Sequence, residues 1–260
     1  MAMAIAMLSR FTRRGSYFEM SRAPRYSLVF ALPLLLAYEG LAALLGGSGR
    51  ASQVRNGADV MLKSAFVAVA GRNGPLIFMA AVIGLAIWFV SRDLRRSGAG
   101  IRPAVFGGML AESAALATGF GFVIGMITVK LLGSIHVLSI SALSAQLPVS
   151  RMSWGTKLML SLGAGLYEEL LFRVLLVSAL AAGARMVLGF GARGAGVLAA
   201  TVGALIFSTF HYIGPYGDPF RLPSFVFRAI SGLAFSALYL LRGFGITAWT
   251  HALYDAFLLL

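Results

Sequence analysis

Long apolar runs constrain this chain more than any other feature. They lie at roughly Tyr26–Gly46, Leu76–Ser91, Ala104–Leu132, Thr156–Ala182, Val197–Ile213, Pro223–Leu241 and Phe244–Leu260. A helix needs about 20 mostly apolar residues to cross a bilayer, and these runs approach or exceed that length. Composition agrees: 59% of the residues are hydrophobic and 12% charged, with a mean hydropathy of +0.85. A soluble domain is nearer half apolar and a quarter charged. The expectation is an all-α, polytopic membrane helix bundle of about seven transmembrane spans. Ala58–Val69 is too short to span and mixes Asp59 and Lys63 with apolar residues, which predicts one interfacial or re-entrant helix.

The net charge of +13 does not point to nucleic acid, because the arginines sit between the apolar runs rather than on one face or tail. They read as topology signals and contacts to anionic headgroups. Arg10, Arg13, Arg14, Arg22 and Arg25 precede the first run, and "SRDLRRSGAGIR" follows the second. The positive-inside rule puts both on the cytoplasmic side, although Arg50, Arg55, Lys63 and Arg72 sit opposite. The opening "MAMAIAMLSRFTRR" has its apolar stretch before its basic residues, the reverse of a secretory signal, and is expected to be retained. The chain holds no cysteine, which excludes a disulfide framework, a thiolate metal site and a Cys nucleophile. Without repeats or a linker, residues 1–260 read as one integral membrane domain.

Against this background "YEELLFR" at 167–173 is anomalous, since a carboxylate at membrane depth costs a few kcal/mol at least. Glu169 and Arg173 are four apart, share a helix face and can neutralise each other. Glu168 is turned by about 100° from its neighbour and has no such partner within its helix. An unpaired buried carboxylate suits a general base or a metal ligand; the alternative is that all three charges are interhelical glue. Two of the three histidines lie in later apolar runs. His211 ends "FSTFH", one turn after Phe207, and His251 opens "HALYD", one turn before Asp255. A carboxylate one turn from an imidazole can fix its orientation and tautomer. Glu168, His211, His251 and Asp255 satisfy one another best by converging, and their convergence makes a site that activates water without serine or cysteine.

"EELLFR" as EExxxR, "FSTFH" as FxxxH and "HALYD" as Hxxx(N/D), in this order and each in an apolar run, resemble the CPBP family. These are the type II CAAX prenyl endopeptidases and bacteriocin-processing intramembrane proteases. The likeness covers 151–260; 1–150 carry no matching motif. It implies an endopeptidase acting on a membrane-associated protein or peptide. Glu168 and His211 would activate the water, His251 and the residue at 255 would stabilise the oxyanion, and Glu169, Arg173 and Phe207 would support them. The family is described both as zinc-dependent and as metal-free. Glu168, His211, His251 and Asp255 are ligand types that suit zinc, yet the helical zinc-protease spacing HExxH is absent. Asp255 stands where the family also uses Asn, and an ionised Asp cannot donate to an oxyanion. That favours Asp255 orienting His251 or binding metal.

"GFGARG" at 189–194 matches GxGxxG, but no strand precedes it, so it reads as a loop. Glu39, Glu112 and Lys130 are further charges in apolar runs; Glu112 reads as a structural hydrogen bond or interface snorkelling, with a place in the same cavity as the alternative. His136 reads as a solvated loop residue. Tyr212, Tyr216 and Phe220 fit an interfacial belt, and the small residues of "SGLAFSALYL" fit close helix packing. Two rival classes are an ion- or proton-coupled transporter and a non-catalytic scaffold or bacteriocin-immunity protein. A transporter should show internal repeats and broken helices in both halves, whereas the motifs here crowd into the second half. The expected location is the bacterial inner membrane with a cytoplasmic N-terminus, the expected partners are lipid and a peptide substrate, and the cofactor is none or zinc.

Overall fold

The computed structural model describes residues 15–46, 54–132, 152–214 and 217–260. The expectations for the opening residues 1–14 and for Arg50, His136 and Tyr216 lie outside these. Among the described residues the chain is helical and contains no strand. Its helices are α1 (Tyr17–Arg22), α2 (Pro24–Leu45), α3 (Gly57–Ala70), α4 (Gly74–Ser97), α5 (Pro103–Leu132), α6 (Trp154–Gly163), α7 (Ser178–Met186), α8 (Ala192–Phe210), α9 (Leu222–Arg242) and α10 (Phe244–Leu259). Between α6 and α7 the helix continues through two π-helical segments, Ala164–Glu168 and Leu170–Val177.

The helix ends follow from local chemistry. Ser153 and Asn56 cap α6 and α3 with their side-chain oxygens, satisfying N–H groups that the first turn leaves without partners. Pro24 occupies the first turn of α2, where a missing N–H costs nothing. Gly71, at φ +58°, breaks the chain after α3, and α4 folds back on it: the rings of Phe66 and Phe78 lie 5.4 Å apart. A side chain on Gly74 would collide with the Val67 backbone. With 14 residues, α3 is about 21 Å long, short of a bilayer core, as the sequence predicts for that segment.

Five segments are long and apolar enough to cross a membrane: Pro24–Leu45, Gly57–Ser97 (with its break at Gly71), Pro103–Leu132, Ala192–Phe210 and Leu222–Arg242. The other two of the roughly seven expected runs are helical as well, but shorter as regular α-helix. Thr156–Ala182 is divided by π geometry, which leaves α6 only 10 residues of regular α-helix, and α10 has 16. Burial runs opposite to that of a soluble protein. Leu44, Val69 and Leu76 are 83%, 90% and 73% exposed, while Asp59 and Glu169 are fully buried. A surface so apolar suits a lipid solvent, and this is an integral membrane protein.

The α10 helix runs through the centre, against α2, α5, α6, the first π segment and α9. Its approach to the π segment requires Gly165, because a Cβ there would strike the Ala248 carbonyl and Ala252. That contact brings "YEELLFR" against "HALYD".

Candidate active site

The helix bearing Glu168 and Glu169 widens into π geometry on both sides of Glu169, a rare arrangement that is frequent at functional sites. Glu168, Glu169 and Arg173 are 7%, 0% and 1% exposed. Burial of that degree demands partners. Glu168 Oε1 accepts a hydrogen bond of 2.8 Å from Asn56 Nδ2. Its Oε2 is buried without a hydrogen bond and lies 4.0 Å from His211 Nε2.

His211 follows the last residue of α8, and its Nδ1 is 2.9 Å from the Phe207 carbonyl. A carbonyl only accepts, so Nδ1 carries the proton, and the neutral ring presents a lone pair at Nε2. Glu168 Oε2 and His211 Nε2 are therefore two acceptors facing each other at a distance too long for a direct bond. Something that donates to both fits between them.

His251, 4% exposed, sits on α10 with Nδ1 2.7 Å from Glu169 Oε1. Its ring stacks on Phe235 at 4.3 Å, and its Nε2 lies 3.8 Å from Asp255 Oδ2. The carboxylate that orients this imidazole is thus Glu169. Asp255, the candidate for that task by spacing, stands off beyond hydrogen-bonding distance. Glu169 has two duties, since its Oε2 also lies 3.1 Å from Arg173 Nε. That contact lacks hydrogen-bond alignment, and the Arg173 Nη atoms have no acceptor among the described residues. The guanidinium lies instead over the rings of Phe207 (4.5 Å) and Phe235 (5.4 Å), where the ring quadrupoles attract it. Phe207 also packs edge-on against His211 at 4.8 Å.

Glu168, Glu169, Arg173, Phe207, His211, His251 and Asp255 accordingly gather in one region of the bundle. As a metal site the group fits poorly: no three His, Cys, Asp or Glu side chains among the described residues converge closely enough to hold an ion, and zinc takes at least three protein ligands. Both Nδ1 atoms are also engaged, by a carbonyl and by Glu169.

Asn56 escaped the sequence reading. The sequence signal at "RNGADV" is only that of a helix cap, and its contact with Glu168 spans 112 residues. Glu39, Glu112 and Asp59 are structural pairs. Glu112 accepts from Arg242 at 2.5 and 2.7 Å and from Tyr17 Oη at 2.6 Å. Burial and that carboxylate together push the Tyr17 phenol above its usual range. Glu39 binds Lys63 at 2.6 Å, Tyr167 Oη at 2.6 Å and Arg55 at 3.3 Å. "GFGARG" ends the turn between α7 and α8, with Gly189 at φ +66°, and its last three residues begin α8.

The fold and this cluster define a helical membrane protein with a buried carboxylate–imidazole site. Residues 150–257 match the family model described as type II CAAX prenyl endopeptidase, Rce1-like, so the second part of the chain carries a domain of that peptidase family. A function of the CAAX-type intramembrane protease kind follows, with lipid around the protein and a peptide or protein as substrate. No curated protein and no solved structure matches the chain.

Proposed function

We propose that the chain is an intramembrane endopeptidase in which Glu168 and His211 activate a water for attack on a peptide carbonyl. The observation that carries the reading is the pair of facing acceptors, Glu168 Oε2 and His211 Nε2, 4.0 Å apart. A water donates one proton to each and turns a lone pair outward. As its oxygen bonds to the carbonyl carbon, one proton passes to Glu168. When the C–N bond breaks, that proton goes to the departing amine, leaving a carboxylic acid and an amine. A base so placed is worth roughly 10²–10⁴ in rate. His251, held by Glu169, offers Nε2–H to the oxyanion when protonated, with Asp255 beside it. Donors preset around a developing charge contribute most of such stabilisation. No step is assigned to a metal, because the ligand set does not fit one.

Both parts of the chain form the catalytic unit in this reading, since Asn56 reaches the site that the motifs supply. The N-terminal side is cytoplasmic. Support comes from the basic clusters at the start of α2 and the end of α4: Arg25 pairs with Asp93 at 2.9 Å, and Arg102 N donates to Tyr26 Oη at 2.9 Å. These contacts gather Arg22, Arg25, Arg95, Arg96 and Arg102 at one end of the bundle. Arg55 and Lys63, whose charge argues the other way, are paired with Asp59 and Glu39. The bacterial inner membrane is the proposed location.

The test is cleavage of a farnesylated peptide ending in a C-a-a-X sequence, beside its unprenylated twin, by the full chain in proteoliposomes. Release of a C-terminal fragment by the wild type and its loss in Glu168→Gln support the reading. Equal cleavage by Glu168→Gln and wild type would overturn it.

A further inference from the structure

Several groups surround Glu168, but only one hydrogen-bonds it among the described residues. His211 stands 4.0 Å from Oε2, His251 approaches from α10, and Glu169 and Arg173 share its own helix. The hydrogen bond comes from Asn56, which lies outside the stretch that matches the family. We propose that Asn56 is a positioning residue: its amide pins Glu168 Oε1 and so keeps Oε2 turned toward His211 Nε2. The role rests on the water-activating reading of that pair.

A glutamate carboxylate rotates about its last torsion in a broad, nearly two-fold well, so nothing in the side chain itself decides which oxygen faces the histidine. A single donor at one oxygen breaks that symmetry. Asn56 is well placed to do so, because every polar atom of the residue up to its amide is committed. Its Oδ1 accepts from Ala58 N at 2.9 Å and from Asp59 N at 3.4 Å. Two N–H donors require an acceptor there, which fixes the flip of the amide and aims Nδ2 at Glu168. Its backbone N–H donates to Tyr38 Oη at 3.2 Å, and Tyr38 donates to Asp59 Oδ2 at 2.8 Å. Asp59 is in turn clamped by Arg55 at 2.8 Å and Lys63 at 2.6 Å. The approach also depends on Gly163, one turn before Glu168, where an added Cβ would lie 2.8 Å from the Asn56 Cβ. A clamp of this kind holds a reacting group in the geometry that chemistry needs, and a displacement of about 1 Å can cost about 100-fold in rate.

A cap and an aiming device are separable by substitution. Serine and aspartate both cap helices well, whereas alanine does not, and neither serine nor aspartate supplies the amide donor. The experiment uses the full chain in proteoliposomes with Asn56→Ser, Asn56→Asp and Asn56→Ala. It reads thermal stability, kcat and KM on the farnesylated C-a-a-X peptide, and the infrared carboxylate band of Glu168, isolated by subtracting the Glu168→Gln spectrum. Asn56→Ser should keep its melting temperature, shift the Glu168 band and lose about 10- to 100-fold in kcat with little change in KM. Asn56→Asp, which sets a second carboxyl against Glu168, should lower the melting temperature, and Asn56→Ala should lower it through loss of the cap. An unshifted band with unchanged kcat in Asn56→Ser, or a kcat in that variant that falls only in step with melting temperature, overturns the proposal. If the wild type cleaves neither peptide, the functional reading fails. The band still decides the positioning contact: shifted upholds it, unshifted refutes it.

Discussion

Two ionic clusters adjoin in this bundle, and they are built to different standards. In the first, from α2 and α3, Glu39, Arg55, Asp59 and Lys63 balance two acids with two bases. Every carboxylate there has a cation within 3.3 Å, and Tyr38 and Tyr167 add hydrogen bonds. In the second, on the π segments, α8 and α10, contacts are long or incomplete. Glu168 Oε2 has no hydrogen bond and stands 4.0 Å from His211, Asp255 stands 3.8 Å from His251, and Arg173 rests on aromatic rings. A polar group left unsatisfied in a low-dielectric interior is expensive. The first cluster limits that expense by setting a cation close to each carboxylate, with Asp59 Oδ1 held by its ion pair to Lys63 rather than by a hydrogen bond, and it ties helices together; the second keeps open valences facing one another, which is what a reaction requires. Asn56 joins the two, since it caps α3 and donates to Glu168.

This contrast breaks most sharply at Glu168. Glu168→Gln should leave folding and insertion intact while lowering turnover by roughly 10²–10⁴, as peptide cleavage and a melting curve on the same preparation will show. A loss of stability on the scale of the other cluster would make Glu168 structural and erase the distinction.

Glu169 should behave differently, because removing its charge strands Arg173 and releases the His251 ring together. Breaking a buried pair costs about 3–5 kcal/mol. Glu169→Gln should therefore reduce yield and thermal stability along with activity. A stable but inactive Glu169→Gln, beside an active Glu168→Gln, would mean the two carboxylates have exchanged roles.

Within the first cluster, Glu39→Gln removes the charge that Lys63 and Arg55 share, yet both cations keep Asp59. Hydrogen bonds to charged groups are worth about 1.5–3 kcal/mol, and the side chain is 28% exposed, so the loss should fall at or below the lower end. Denaturation should register it, while kcat per folded molecule stays unchanged. A large fall in kcat would extend the active site into α2.

The smallest effect is expected at Asp255. It makes no close bond to His251, so Asp255→Asn should keep cleavage, and a chelator should change little in either protein. Lost cleavage in the mutant, with chelator-sensitive wild-type activity restored by zinc, would turn the second cluster into a metal site. Such a site typically loses 10- to 100-fold when a supporting carboxylate is changed.

What could be read in advance was local. Hydropathy marks α2, α5, α8 and α9 because each is one uninterrupted apolar run, and spacing pairs Glu169 with Arg173 because both lie on one helix. The same logic cannot see that the run at 156–182 widens into π geometry, which interrupts the regular α-helix without ending the helix. Periodicity also offered only Asp255 as a carboxylate beside His251, whereas the ring hydrogen-bonds Glu169, 82 residues away.

The chain's order of residues alone dictates a helical membrane protein with three polar motifs in its second part. Lipid leaves a backbone little choice but to satisfy itself within helices, and charges in such helices must find company. Which company they find is a matter of three-dimensional packing. The glycines at 163 and 165 let Asn56 and α10 close on the π segment, and only that approach gives Glu168 one donor on Oε1 and leaves Oε2 open toward His211. Side-chain contacts of 3 Å depend on how whole helices dock, and no periodicity within a single helix encodes that.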